Sequence, residues 1–153
     1  MARYFEDIEV GETHEQGSYE VTEEEIVEFA EQYDPQPFHT DPEAAEESSF
    51  GGLAASGWHT AAMCMRLLVE AMADADWASQ GARGVNELRW IKPVRPGDSL
   101  TVEYEVVEKR DSKRPGIGEV DSRLTGYRGG ADAEEREAVI SWVGLGMIET
   151  REE

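Results

Sequence analysis

The chain has 153 residues, 39% of them hydrophobic, which fits one domain spanning 1–153 with a core of its own. A lone cysteine, Cys64, excludes an intrachain disulfide and a zinc site built from several cysteines. Asp and Glu number 34 against 14 Lys and Arg, for a formal net charge of -20, and such a surface repels phosphate backbones and anionic lipid, excluding nucleic-acid and membrane partners.

Met1 to Glu9 holds no apolar run long enough for a signal peptide, so a cytoplasmic protein is expected. An extended piece follows at Thr13 to Val21. Thr22 then reads as a helix cap, with Glu25 completing a capping box, and the helix Glu23 to Gln32 sets Ile26, Phe29 and Ala30 on one face. Tyr33 to Pro42 carries prolines at 35, 37 and 42 and is expected to be a stiff loop without regular structure. Asp41-Pro42 starts a short helix, cap first and proline at the first helical position, running to about Glu47. After a Phe50-Gly51-Gly52 turn, a long helix is expected from about Ala54 to Ala75. It is apolar nearly all round, broken by a narrow stripe of His59, Arg66 and Glu70, and such a helix must be wrapped by other structure. It is too polar to span a membrane. The second half reads as strands at Val85–Val94, Ser99–Lys109, Gly118–Tyr127 and Glu137–Glu149. Leu100, Val102, Tyr104 and Val106 alternate with polar residues, and the last strand is apolar on both faces, as in mid-sheet or against another subunit. A curved antiparallel sheet around one helix gives an α+β fold.

Asp34 and His39 share the proline-stiffened loop, where a carboxylate beside an imidazole can orient the ring or hold a water with it. An ordinary surface turn is the alternative. Ser56-Gly57-Trp58 opens the long helix, where unpaired N–H groups can act as an oxyanion hole or Ser56 can simply cap the helix. His59 reads as a structural or interface residue, Arg66 and Glu70 as an ion pair, Cys64 as a core residue and His14 as solvated. The acidic runs Glu23–Glu25 and Asp132–Glu135 read as solvated faces or helix starts, and no metal site is expected. Lysine is scarce, only Lys92, Lys109 and Lys113, and an acidic, lysine-poor surface suits a halophilic protein kept soluble in concentrated salt. A merely acidic mesophilic protein is the alternative.

The segment Phe29 to Thr60 (FAEQYDPQPFHTDPEAAEESSFGGLAASGWHT) resembles the MaoC-like dehydratases, which include the (R)-specific enoyl-CoA hydratases. Asp34, Pro37, His39, Asp41, Ala44, Phe50 and Gly57 fall on that family's pattern. Where members often carry Gly, Asn, an aliphatic residue and His, this chain has Tyr33, Gln36, Phe38 and Ser56. The resemblance implies a hotdog fold, a sheet wrapped around the long helix, with two subunits forming the working unit. It implies reversible hydration of a 2-enoyl-CoA, with Asp34 and His39 handling the water and the Gly57 N–H taking the oxyanion. Ser56, Trp58, Phe38 and Tyr33 would line the substrate site, the last three narrowing the acyl pocket. Coenzyme A enters only as the substrate's handle, with Arg83, Arg89, Lys92 and Arg95 as candidates for its phosphates. A thioesterase on the same fold and a non-catalytic acyl-CoA-binding module are the alternative readings.

Overall fold

The computed structural model describes residues 1–129 and 136–151, so the acidic run Asp132–Glu135 lies outside the described residues. A 3-10 turn, Phe5–Asp7, precedes strand β1 (Thr13–Glu20). Helices α1 (Glu23–Tyr33), α2 (Pro37–Thr40), α3 (Pro42–Glu46) and α4 (Gly57–Asp74) follow. Strands β2 (Ser79–Trp90), β3 (Ser99–Asp111), β4 (Ile117–Arg128) and β5 (Glu137–Glu149) complete the chain. The strands form one antiparallel sheet in the order β1-β3-β4-β5-β2.

The alternation in β3 turns Leu100, Val102, Tyr104 and Val106 inward, all fully buried. The first three pack with Leu124 of β4, Ile140 and Trp142 of β5, and Met63, Cys64, Leu67 and Ala71 of α4. Helix and sheet approach closely at Gly126, where a Cβ would stand 2.7 Å from the Cys64 sulfur, so only glycine fits there. Burial pushes the Cys64 thiol up to about 12, which makes it an inert core residue. The sheet around α4 is the α+β hotdog arrangement. β5 lies between β4 and β2, inside the sheet, as its two apolar faces imply. No helix among the described residues is long and apolar enough to cross a membrane.

Several expectations need correcting. The proline-rich segment is not wholly irregular, because Pro37 opens the single turn α2. Proline costs nothing at a first helical position, whose N–H has no helical partner. The long helix begins at Gly57, and residues 53–56 run extended and buried beneath its start. β2 begins six residues earlier than expected and ends four earlier. Gly81 and Gly84, at φ 103° and 156°, and three register shifts against β5 hide its period of two. The sheet does not wrap α4 on all sides, since Trp58, Met65 and Val69 remain exposed. Nor do His59, Arg66 and Glu70 form one stripe: His59 is buried, while Arg66 and Glu70 pair on the surface at 3.6 Å. The capping box is half formed, with Thr22 accepting from the Glu25 N–H while the Glu25 carboxylate turns to Tyr19. His14 is not isolated in solvent. It bonds Glu12 at 2.6 Å and stacks on Tyr104 at 5.0 Å.

Candidate active site

Asp34 caps the C-terminus of α1, its N–H donating to the Ala30 carbonyl at 2.8 Å. The two prolines that follow stop α1 and start α2 within three residues. The α2 turn then carries His39 inward to 5% exposure. His39 is fixed by residues 53–56. Its Nδ1 donates to the Ala54 carbonyl at 2.6 Å, and the Ala54 N–H donates back to the Phe38 carbonyl at 3.3 Å. A carbonyl only accepts, so Nδ1 carries a proton, and in the neutral form of the ring Nε2 is the bare nitrogen. That Nε2 stands 3.5 Å from Oδ2 of Asp34.

The carboxylate is held from two further sides. The Gln36 amide donates to Oδ1 at 2.7 Å, and the Ser56 hydroxyl also bonds Asp34. Burial pushes the Asp34 pKa up. The bonds from Gln36 and Ser56, with the charge that His39 carries when protonated, outweigh it and hold the group below the ordinary carboxylate value. Ser56 is fully buried and caps α4, its oxygen accepting from the Trp58 N–H at 3.3 Å. The Gly57 N–H has no acceptor among the described residues. It is one of the orphan donors at a helix start, where the dipole favours negative charge.

These groups open on one cleft of about 610 Å³. Tyr33, Asp34, Phe38, His39, Gly57 and Trp58 all line it. Ser56 does not; it lies beneath the floor and reaches the site through Asp34. Phe38 and Phe50 flank the imidazole with ring centroids 4.6 and 5.9 Å away. A further wall comes from residues 90–94, the end of β2 and the connection that follows it, and includes Trp90 and Lys92. A Cβ on Gly57 would stand 2.7 Å from Nε1 of Trp90, so the glycine is needed to seat that indole. The sequence reading missed Gln36 as a holder of Asp34, the Ala54 carbonyl and Trp90. Gln36 stood in plain view as the residue between the prolines, whereas the other two contacts come from distant parts of the chain.

The four cations do not form a patch. Arg83 pairs with Glu119 at 3.4 Å, and Lys92 bonds Glu137. Arg95 spends its guanidinium on the carbonyls of Phe50, Gly52 and Leu53, which braces the approach to α4. Arg89 bonds the neighbouring Leu88 carbonyl at 2.8 Å. Among the described residues no group of three His, Cys, Asp or Glu side chains comes together to hold a metal ion.

The MaoC like domain family matches residues 7–127 of this chain. The uncharacterized protein YdeM of Bacillus subtilis (strain 168) is 34% identical over 118 residues, covering 77% of this chain and 82% of that protein. The MaoC-like dehydratase from Rhodospirillum rubrum superposes with a TM-score of 0.84 at 39% identity, over 98% of this chain and 99% of the other. The R-hydratase PhaJ1 from Pseudomonas aeruginosa, unliganded, superposes with a TM-score of 0.67 at 25% identity, over 98% and 86% of the two chains. With the family match spanning most of its length and the hotdog sheet packed against one side of α4, the chain belongs to the MaoC-like dehydratase domain family.

Proposed function

We propose that the chain is a hydro-lyase that adds water reversibly across the double bond of a 2-enoyl-CoA, giving a 3-hydroxyacyl-CoA. The observation that carries this is the facing pair Asp34 Oδ2 and His39 Nε2, 3.5 Å apart in a cleft that Gly57 also lines. With the Nδ1 proton committed to Ala54, both facing atoms are acceptors in the neutral form of the ring. A water between them has two O–H bonds, one for each. The water oxygen attacks the β-carbon as Asp34 and His39 hold it and remove a proton. Charge moves onto the thioester oxygen as an enolate, and the Gly57 N–H stabilises it. Mutational precedent puts one such donor at roughly 3–4 kcal/mol. The proton returns to the α-carbon, so hydroxyl and hydrogen of one water are both accounted for. The depressed Asp34 pKa suits a group that starts as a base. The chemistry asks for no cofactor beyond the CoA of the substrate, and Lys92, which lines the cleft, is the cation proposed for its phosphates. The long exposed edge strand β2, with Val85 and Trp90 exposed, supports pairing with a second copy into a homodimer, which light scattering would test.

The test replaces Asp34 by Asn and His39 by Ala, separately, and follows loss of enoyl absorbance with crotonyl-CoA in concentrated salt. Each variant should fall by about 10² or more in kcat while staying folded. A folded variant at the wild-type rate would refute the assigned roles. A thiol-trapping dye run in parallel should stay silent. Release of free CoA would make the protein a thioesterase instead, and binding without either turnover would make it a binding module.

A further inference from the structure

The core uses only one side of α4. On the other side Trp58, Met65 and Val69 are exposed, and an apolar track runs beside them. Its first pocket, about 260 Å³, is lined by Trp58, Ala61, Ala62, Met65, Val85 and Trp142. A second, about 240 Å³, shares Met65, Val85 and Trp142 with the first and reaches Met72. From Trp58 to Met72 the helix advances about 21 Å. The walls are mainly apolar, with Ser79 and Ser122 in the second pocket, and small side chains at 61 and 62 leave the near pocket open.

The head of this track is closed by two indoles. Trp58 lines both the catalytic cleft and the first pocket, so it is their common wall. Its ring meets Trp90 edge to face, with centroids 5.1 Å apart at 82°. Trp90 in turn rests on the bare Cα of Gly57, where any side chain would collide with it. The partition is thus rooted at the residue whose N–H faces the cleft.

We infer that the Trp58–Trp90 pair limits acyl length, separating the catalytic cleft from the apolar track and restricting the enzyme to short 2-enoyl thioesters of about crotonyl size. The inference rests on the reading that an acyl thioester occupies the cleft. With the thioester oxygen at the Gly57 N–H, the acyl tail begins one residue away from Trp58. The indole turns a short tail back into the cleft and leaves a long one no path. Trimming Trp58 joins the cleft to the track along α4.

The experiment compares wild type, Trp58→Ala, Trp58→Leu, and Trp58→Ala combined with Ala62→Phe. Calorimetry measures affinity for the saturated thioesters butyryl-CoA and octanoyl-CoA. Hydration of crotonyl-CoA and octenoyl-CoA is followed in parallel. Wild type should favour the short chain in both measurements by about tenfold or more, the scale at which apolar pockets discriminate by size. Both single variants should move the long-to-short ratio about tenfold toward the long chain. Refilling the first pocket with Phe should move it back. Either an unchanged ratio in both single variants or a wild type that binds octanoyl-CoA as well as butyryl-CoA overturns the inference. Affinity does not depend on turnover. A wild type that binds in the expected order yet hydrates nothing therefore refutes the hydratase reading and upholds the length limit. Failure to bind either thioester refutes both.

Discussion

Two histidines of this protein are buried to nearly the same depth, and each faces a carboxylate at nearly the same distance. His39 is 5% exposed with Asp34 at 3.5 Å, and His59 is 4% exposed with Glu25 at 3.4 Å. Their surroundings separate them. The second nitrogen of His39 is satisfied by the Ala54 carbonyl, while the pair it makes with Asp34 opens on a cleft. His59 does not line that cleft. Phe29 stacks flat on its ring at 4.6 Å and 8°, and Glu25 is already occupied by the Tyr19 hydroxyl at 2.6 and 2.8 Å. Burial pushes the His59 pKa down against the pull of Glu25, so the ring is neutral with its Nε2 proton toward that carboxylate. Its Nδ1 is a buried atom without a partner. At His39 a cleft reaches the carboxylate–imidazole pair, whereas at His59 the same kind of pair packs α1 against α4.

The comparison can be broken most directly by exchanging the two sites' fates. His39→Ala should lose about 10² or more in kcat on crotonyl-CoA, while His59→Leu, at a ring that meets Phe29 and Glu25 and does not itself line the cleft, should stay within about threefold. Equal losses at both would abolish the distinction. Gly57→Ala comes next. Its Cβ displaces the Trp90 indole, so a stability loss of about 1–3 kcal/mol by denaturant titration should accompany a fall in kcat. Ser56→Ala should cost about 1 kcal/mol as a lost cap. Because Ser56 helps hold the Asp34 pKa down, its removal should also move the acid limb of the kcat/KM profile to higher pH. A profile that stays in place would detach Ser56 from Asp34. The smallest effect belongs to His59. Its pKa is depressed in the fold, so below about pH 6.5 the unfolded chain binds the proton and the folded chain does not. Wild-type stability should therefore fall as pH drops from about 6.5, and His59→Leu should lack that part of the slope. Thermal melts at stepped pH values would measure it.

The fold was legible wherever one residue's environment follows from its neighbours in sequence. The alternation in β3 and the two apolar faces of β5 give their positions, and Asp41-Pro42 marks the start of α3 with Asp41 accepting from the Glu43 N–H at 3.0 Å. β2 was misplaced because its glycines carry no periodicity and its pairing with β5 slips. In the site, Asp34 and His39 are close in sequence and stiffened by proline, so their meeting could be foreseen. The buried place of Ser56 could not, because it depends on the 53–56 segment lying under α4. Trp90 could not either, because its seat on Gly57 joins residues 33 positions apart through the fold alone.

Arg95 has a consequence for the conditions in which the protein can work. Its donors go to the carbonyls of Phe50, Gly52 and Leu53, which are uncharged. A guanidinium does not release its proton in any ordinary buffer, and bonds to neutral acceptors owe little to Coulomb attraction across solvent. Brine that screens the rim's ion pairs, or acid that neutralises its carboxylates, leaves this clasp in place. The approach to α4 is thus moored by a contact indifferent to both, even on a chain whose surface charge answers strongly to each.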